Sequence, residues 1–196
     1  MFVQRSTAGM AVNSLSLRDS LPLFGGVGHP LFVHRNEFAW QFWVSSDDEG
    51  GALADAAISR GYRSMAVMTV EDEWSVTVSA GFRTRYKELG GEITFDEFLL
   101  PTDTDIKPLL TKIRKASPSA VLLNLSIPQL GVAMKQIREM GLSTQIFSTF
   151  WAATPDVIQS SKGHAEGVLF PLALKVIQGG KSEIKDVISV SGSISR

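Results

Sequence analysis

The sequence predicts an α/β protein built on a doubly wound parallel sheet of five strands. Largely apolar runs of strand length, such as SMAVMTV and AVLLNL, recur at intervals of about 25 to 29 residues, the length of a βαβ unit. Between them, apolar residues recur at spacings of three and four, which is typical of helices that bury one face. Because helices alternate with strands that are covered on both faces, we expect the strands to lie parallel.

The N-terminal part of the chain predicts a helix, a turn and two strands. These are a helix that Ser6-Thr7 would cap and that runs to about Arg18, strands at 21–24 and 31–35, and a turn with the sequence GGVGHP at 25–30. Two strands and one helix bury too little surface to form a domain. We therefore expect this part to be the end of a larger unit whose beginning lies outside the sequence.

The next elements form the first repeating unit. The acids at 47–49 precede an apolar pattern that ends at Gly61, as in a helix with acids in its first turn. Residues 64–70 predict a buried strand. The following helix ends at Gly90-Gly91. Its apolar stripe consists of Trp74, Val78, Phe82, Tyr86 and Leu89.

The same alternation continues to residue 172. Further strands are predicted at 92–100, 120–125, 145–150 and 167–172, with helices between them. One of these helices holds Pro108 in its first turn, where a missing N–H costs little. Residues 176–196 end in a serine-rich run with no obvious place in the sheet.

The strand order predicts where a ligand would bind. The commonest order of a five-stranded doubly wound sheet, 2-1-3-4-5, brings the ends of the first, third and fourth strands to one edge, and ligands of such sheets bind there. Residues 71–74, 126–129 and Phe150-Trp151 follow those strands. We therefore expect these three segments to surround one crevice.

Composition excludes several classes of protein. The 196 residues carry a net charge of −1 and no cysteine, which argues against nucleic-acid binding, disulfides and thiolate chemistry. The N-terminus lacks the pattern of a signal peptide, and no run approaches the ~18 to 20 apolar residues of a membrane span. As written, the chain is expected to be soluble and cytoplasmic.

Few motifs indicate a cofactor or a metal. GGVGHP is not a phosphate-binding loop, because it lacks both glycine-rich fingerprints and Pro30 interrupts the helix start. His29, His34 and His164 lack metal-ligand spacing, so no metal and no cofactor is predicted. The acids Glu71, Asp72 and Glu73 lie in the predicted crevice, where they would either bind a cation or form a solvated loop.

Several segments in combination resemble the type 1 periplasmic binding proteins, specifically the substrate-binding components of ABC transporters for branched-chain amino acids. The resemblance covers residues 5 to 172. It is carried by LFVHR, SSDDEGGALADAA, SMAVMTVEDEW, the TDTD element at 102–105 with its following PSAVLLN strand, IPQLGVAMKQIREMGL and AEGVLFP.

The resemblance implies a receptor in which two lobes close on a small ligand without covalent chemistry and deliver it to an ABC permease. Residues 1–38 would be a remnant of the first lobe, 39–175 the second lobe, and 176–196 a tail of uncertain structure. The missing elements of the first lobe imply a fragment. The family implies a periplasmic location, whereas the N-terminal sequence of this chain does not predict a leader.

The resemblance also implies ligand contacts. Ser6 and Thr7 match a helix start that binds a ligand carboxylate, and Gly26 and Gly28 match the loop after it. Trp74 matches an aromatic position.

At two further positions the chain departs from the family pattern. Either Ser126 or Ile127 matches a second aromatic position, at which the aromatic is lost. Phe150 stands where amino-acid receptors carry the carboxylate that pairs with an ammonium. An unpaired buried ammonium costs several kcal/mol, on the order of 5, so an organic acid, amide or aromatic compound is favoured over an α-amino acid.

Three functions are therefore considered. The first is a solute-receptor fragment whose cleft uses Trp74, Ser126, Gln129, Phe150 and Trp151. The second is a flavodoxin-like enzyme or phosphoacceptor that uses the acids at 71–73. The third is the ligand-sensing domain of a regulator. An exposed sheet edge would also allow a homodimer.

Overall fold

A computed structural model describes residues 1–172 and 186–189 of the chain. The N-terminal part forms a small parallel sheet of three strands in the order β1-β2-β3. Its elements are β1 (Phe2–Gln4), α1 (Ser6–Arg18), β2 (Leu23–Gly26) and β3 (Ala39–Gln41). The predicted helix is confirmed over its full length, and the predicted strand at 21–24 overlaps β2.

The predicted strand at 31–35 is wrong. Backbone hydrogen bonds from Phe32 to His29 and from His34 to Leu31 close successive tight turns in place of a sheet ladder. Phe32 is the single buried side chain of the apolar run, and it lies against Gly25 of β2. The third strand of the small sheet is therefore β3, eight residues further along than the start of the predicted one.

The large sheet has the order β5-β4-β6-β7-β8-β9. Its elements in chain order are α2 (Ser46–Ser59), β4 (Ser64–Val70), α3 (Glu73–Glu88), β5 (Glu92–Leu99), α4 (Lys107–Ala116), β6 (Ala120–Asn124), α5 (Ile127–Glu139), β7 (Gln145–Ser148), α6 (Pro155–Ser160), β8 (Leu169–Leu172) and β9 (Asp186–Ser189). The first five strands of the sheet are mutually parallel. This is the predicted doubly wound order.

The edge strand β9 was not predicted. It pairs antiparallel with β8 and lies within residues 176–196, which were expected to have no place in the sheet. The prediction relied on parallel strands that alternate with helices, and an antiparallel edge strand departs from that alternation. The other residues of that segment lie outside the described part of the chain.

The central strands of the large sheet are covered on both faces, which explains their largely apolar sequences. One face packs against α4, α5 and α6, and the other against α2 and α3. Alternate residues of β4 therefore enter different cores: Met65 and Val67 face α2 and α3, whereas Ala66 and Met68 face the opposite side. Within residues 1–172 and 186–189, no helix combines the length and hydrophobicity that a membrane span requires.

The helices α2 and α3 are in unusually close contact through two glycines. A β-carbon on Gly50 would lie 2.0 Å from the Val78 carbonyl oxygen, and one on Gly81 would lie 2.4 Å from the Asp47 carbonyl oxygen. This contact holds the first turn of α2 against the middle of α3.

Candidate ligand-binding site

Four aromatic rings meet at the carboxyl edge of the large sheet; we call them the ring cluster. They belong to Trp43, Trp74, Phe150 and Trp151, and each side chain is half-buried. The Phe150 ring lies 5.1 Å from Trp43, 5.8 Å from Trp74 and 4.4 Å from Trp151, measured between centroids. Trp74 and Trp151 are 6.3 Å apart and meet edge to face. The structure therefore brings together three of the predicted ligand contacts.

A turn after β7 aims two of these rings. The strand ends at Ser148, and Phe150–Ala153 form a single 3₁₀ turn, so the prediction of a strand running to residue 150 is wrong at its end. In an extended strand, Phe150 and Trp151 would point to opposite faces of the sheet. The turn places both rings on Trp74.

Trp43 was missed by the sequence analysis. It follows β3 of the small sheet, and its contact with Phe150 links that sheet to the ring cluster. The signal in the sequence was the density of aromatic residues in FAWQFW at 38–43. Because no strand was predicted at 39–41, the direction of the Trp43 side chain could not be assigned.

The two predicted glycine contacts lie in different places. Gly28 lies at the ring cluster, since a β-carbon there would be 2.4 Å from the Ser46 hydroxyl and 2.9 Å from Trp74 Nε1. Its carbonyl accepts a 2.7 Å hydrogen bond from the Ser46 N–H. Gly26 is the last residue of β2, where a β-carbon would meet the Phe42 ring at 3.0 Å. The structure therefore does not join Gly26 to the rings.

Ser6 and Thr7 lie in the first turn of α1. The residue that precedes the helix is Arg5, in a left-handed conformation with φ 74°, and no side chain caps the helix start. The expectation that Ser6-Thr7 caps this helix is therefore wrong. Ser6 is buried with no hydrogen-bond partner for its hydroxyl among the described residues, whereas Thr7 is exposed.

Ser126 and Gln129 form a capping box at the start of α5. The Ser126 hydroxyl lies 2.8 Å from Gln129 Oε1. Gln129 Nε2 donates to the carbonyls of Leu100 and Asp103, both at 2.7 Å. Gln129 is buried, so in this conformation its side chain holds the loop after β5.

The acids at 71–73 have separate structural roles. Asp72 caps α3, with its carboxylate accepting from the Ser75 N–H at 2.8 Å and from the Ser75 hydroxyl at 2.9 Å. Glu73 lies 3.8 Å from His29 Nε2, and Glu71 is exposed. Among the residues that the structure describes, no three His, Asp or Glu side chains come together as a metal site would require.

A second group of residues lies beside the ring cluster; we call it the acceptor cluster. It consists of Ser46 and Glu49 on α2, Asn124 at the end of β6, and Thr149 after β7. All four residues are buried. Five of their oxygen atoms have no hydrogen-bond partner among the described residues: Ser46 Oγ, both Oε atoms of Glu49, Asn124 Oδ1 and Thr149 Oγ1.

Glu49 is the ionisable member of the acceptor cluster. Burial raises the pKa of its carboxyl to about 8, and the nearby backbone N–H of Phe150 opposes that rise. The N–H is close enough to act on the charge, but it does not meet the distance and angle of a hydrogen bond. The sequence pattern predicted Glu49, together with Asp47 and Asp48, as part of an acidic helix start. In the structure Asp47 and Asp48 are exposed, whereas Glu49 is buried.

A doubly wound lobe with aromatic rings at its carboxyl edge is the architecture of a small-molecule binding domain. The chain belongs to the periplasmic binding protein family, whose sequence profile matches residues 1–175. The family consists of solute-binding proteins. The resemblance found in the sequence is thereby confirmed.

Known relatives share the fold at low identity. An amino acid binding protein of Pseudomonas aeruginosa is 24% identical over 145 residues, which are 71% of this chain and 39% of that protein. A leucine binding protein of Thermotoga maritima superposes with a TM-score of 0.82 at 22% identity, over 89% of this chain and 51% of its own.

A further solved structure is that of a solute binding protein of an ABC transporter from Rhodopseudomonas palustris, in complex with 3,4-dihydroxybenzoic acid. It superposes with a TM-score of 0.76 at 21% identity, over 88% and 49% of the two chains. The chain thus spans about half the length of these two solved relatives.

Proposed function

We propose that this chain is part of a solute receptor for ABC-type uptake and that its ring cluster contacts a small organic ligand. The observation that carries the proposal is the meeting of four half-buried rings at the carboxyl edge of the doubly wound sheet. Trp74 follows β4, Phe150 and Trp151 follow β7, and Trp43 follows β3 of the small sheet. This is the edge at which ligands of such sheets bind.

The ligand that suits this surface has an aromatic or apolar body, because ring faces and edges favour flat apolar partners. The complex of the R. palustris relative with 3,4-dihydroxybenzoic acid supports an aromatic ligand. Phe150, at the position where the family resemblance implies a carboxylate, supports an organic acid, amide or aromatic compound over an α-amino acid.

The other predicted ligand contacts remain part of the proposal with different support. Gly28 adjoins the rings, and Ser126 begins a helix at the same edge of the sheet. Ser6, Thr7 and Gly26 lie in the small-sheet part and stay predictions. A role for Gln129 would require the ligand to replace its bonds to the loop after β5.

The organisation of the whole protein is proposed from the family. Residues 1–38 and 39–175 would belong to two lobes, although Ala39–Gln41 pair with β2 in the small sheet. The partner would be an ABC permease, the compartment the periplasm, and the role binding without catalysis. The alternative of a phosphoacceptor is not favoured, because both carboxylate oxygens of Asp72 already serve the α3 cap.

Binding to the ring cluster is tested by two tryptophan substitutions of the same chemistry. Isothermal titration calorimetry with benzoate and 3,4-dihydroxybenzoate should detect binding that Trp74→Ala weakens by about tenfold or more, as for an aromatic anchor residue. Trp40→Ala is the matched control, because Trp40 is exposed on the small sheet and stacks on Phe24. Equal losses for both variants, or no binding of any aromatic probe, whether anionic, neutral or cationic, by the parent chain, would refute the proposed site.

We also propose that the chain self-associates through the outer face of the small sheet. Phe2, Phe24 and Trp40 form one row across β1, β2 and β3 and are 64%, 46% and 47% exposed. A contiguous aromatic face of this kind favours burial against a second copy.

Sedimentation velocity should therefore show a dimer whose fraction falls with dilution and which Phe24→Ser shifts to monomer. Phe98→Ser, also 46% exposed but on β5, should leave the dimer unchanged. A parent chain that stays monomeric at all concentrations would contradict the proposal.

A further inference from the structure

The acceptor cluster adjoins the ring cluster at two points. Phe150 contributes its ring to one cluster, and its backbone N–H faces the Glu49 carboxyl of the other. Gly28 lies between the Ser46 hydroxyl and the Trp74 indole. The residues that carry the rings are therefore next to Ser46, Glu49 and Thr149.

The members of the acceptor cluster lie on the same face of the large sheet. Leu123 of β6 pairs with Ser148 of β7, so Asn124 and Thr149 are the next residues on neighbouring strands. Leu122 and Phe147, two residues earlier on each strand, pack against α2 and α3. Because side chains alternate along a strand, Asn124 and Thr149 face the same two helices.

The contacts of Asn124 agree with this direction. Asn124 Nδ2 donates to the Ser75 carbonyl at 2.7 Å and lies 2.9 Å from the Ser79 hydroxyl. Both partners are on α3. The amide nitrogen is thus satisfied, and the amide oxygen is left as an acceptor.

The balance of donors and acceptors selects the chemistry of a guest. Asn124 Oδ1 can only accept, and so can both Glu49 oxygens when the carboxyl is ionised; the hydroxyls of Ser46 and Thr149 can accept as well. A buried acceptor without a partner lowers stability, and a charged acceptor does so more strongly than a neutral one. A group with several N–H donors and a positive charge would satisfy the most atoms at once.

We propose that Ser46, Glu49, Asn124 and Thr149 recognise a primary ammonium group of the ligand, whose aromatic or apolar body lies on the ring cluster. The ligand class is then an arylalkylamine or a similar amine, with no requirement for an α-carboxylate. The inference rests on the proposed function, because it assigns the polar end of the ligand in the same site.

The surroundings of Glu49 fit this assignment. Burial disfavours the ionised form of the Glu49 carboxyl, and an ammonium beside it favours that form by supplying an opposite charge. The faces of the neighbouring rings also attract a cation. The carboxylate of Glu49 on α2 then takes the role of the carboxylate that the family resemblance implies at position 150. This revises the expectation, drawn from Phe150 alone, that a cationic ligand is disfavoured.

The test uses 2-phenylethylamine as the cationic probe, 2-phenylethanol as its neutral counterpart and benzoate as the anionic probe. The protein is the full chain at pH 8, and affinities are measured by isothermal titration calorimetry. We expect Glu49→Gln to weaken binding of the amine by about tenfold or more, as for the loss of a buried charge partner, and to change binding of the alcohol by less than about threefold. Asp48→Asn removes an exposed carboxylate one residue away and should leave amine binding unchanged.

Thr149→Val is a second variant that leaves the charge of Glu49 in place. It should weaken amine binding by about threefold to tenfold, as for one lost hydrogen bond. Benzoate bound without the amine, or equal amine binding by the parent chain and Glu49→Gln, would overturn this inference and leave the proposed function intact. Failure of all three probes to bind would overturn both.

Discussion

Glu49→Gln is expected to raise the free energy of unfolding at pH 8.5 by on the order of 4 kcal/mol, and by less than about 1 kcal/mol at pH 5. The reason is the burial of the Glu49 carboxyl, which raises its pKa from 4.5 to about 8. Glutamine has the shape of the protonated acid and carries no ionisable group. It therefore removes the cost of a charge in this site.

The direction in which stability changes with pH follows from the number of protons bound by the folded and the unfolded state. Between the unfolded pKa of 4.5 and the folded pKa of about 8, the folded protein keeps the proton on Glu49 while the unfolded chain has lost it. Stability then falls as pH rises across this window. The contribution of the protonated carboxyl is complete below the lower pKa and is lost as pH rises through the upper one.

Urea denaturation of the parent chain and of Glu49→Gln at pH 5, 7 and 8.5 measures this dependence. Because other groups titrate in both proteins, the informative quantity is the difference between the two at each pH. Asp48→Asn, an exposed carboxyl on the same helix, controls for the loss of an acid near the helix start. A difference that does not grow with pH would show that Glu49 is not held protonated in the folded state.

Glu49 is expected to lower the stability of the chain at alkaline pH and to strengthen binding of the amine. A buried carboxyl that destabilises the chain at neutral and alkaline pH is readily replaced unless it serves binding, since functional groups often lower stability at the site where they act. Glu49→Gln should therefore gain stability and lose affinity for the amine. A variant that gains stability and keeps its affinity would assign Glu49 no part in binding.

The large sheet was predictable because strands that are buried on both faces are rich in apolar residues. β4 and β6 are largely apolar, and the helix α3 shows its buried stripe through Val78, Phe82 and Tyr86. Strand order followed from the usual connection rules of parallel sheets. These features depend on local pattern and on general topology, which a single sequence contains.

The details of the site depended on tertiary contacts that the sequence does not display. An acid in the first turn of a helix is normally solvated, and Glu49 is buried only because α2 packs against α3 and the turn that begins at Phe150 lies nearby. Trp43 was missed for a similar reason: its direction depends on β3 pairing with β2 across the turns that contain Phe32. Short segments with non-local partners give little periodic signal.

The close contact of α2 with α3 gives a prediction with a matched pair of glycines. Gly50→Ala should lower the free energy of unfolding by about 3 kcal/mol, at the upper end of the cost of overpacking a tight contact. The added methyl group would lie 2.0 Å from the Val78 carbonyl oxygen and 2.5 Å from the Phe82 nitrogen. Both atoms are backbone, so the clash is relieved only if the helices move apart.

Gly51→Ala makes the same chemical change one residue later and should raise the free energy of unfolding by about 0.5 to 1 kcal/mol. Its added methyl group would have Arg85 Cγ at 4.0 Å as its nearest neighbour, so the gain in helix propensity of alanine over glycine is not opposed by a clash. Urea denaturation of the two variants measures the difference. Because Gly50 adjoins Glu49 in the first turn of α2, separation of the helices should also expose Glu49 and return its pKa toward 4.5. The stability of Gly50→Ala should then depend less on pH than that of the parent chain, and equal effects of the two alanines would contradict the observed helix contact.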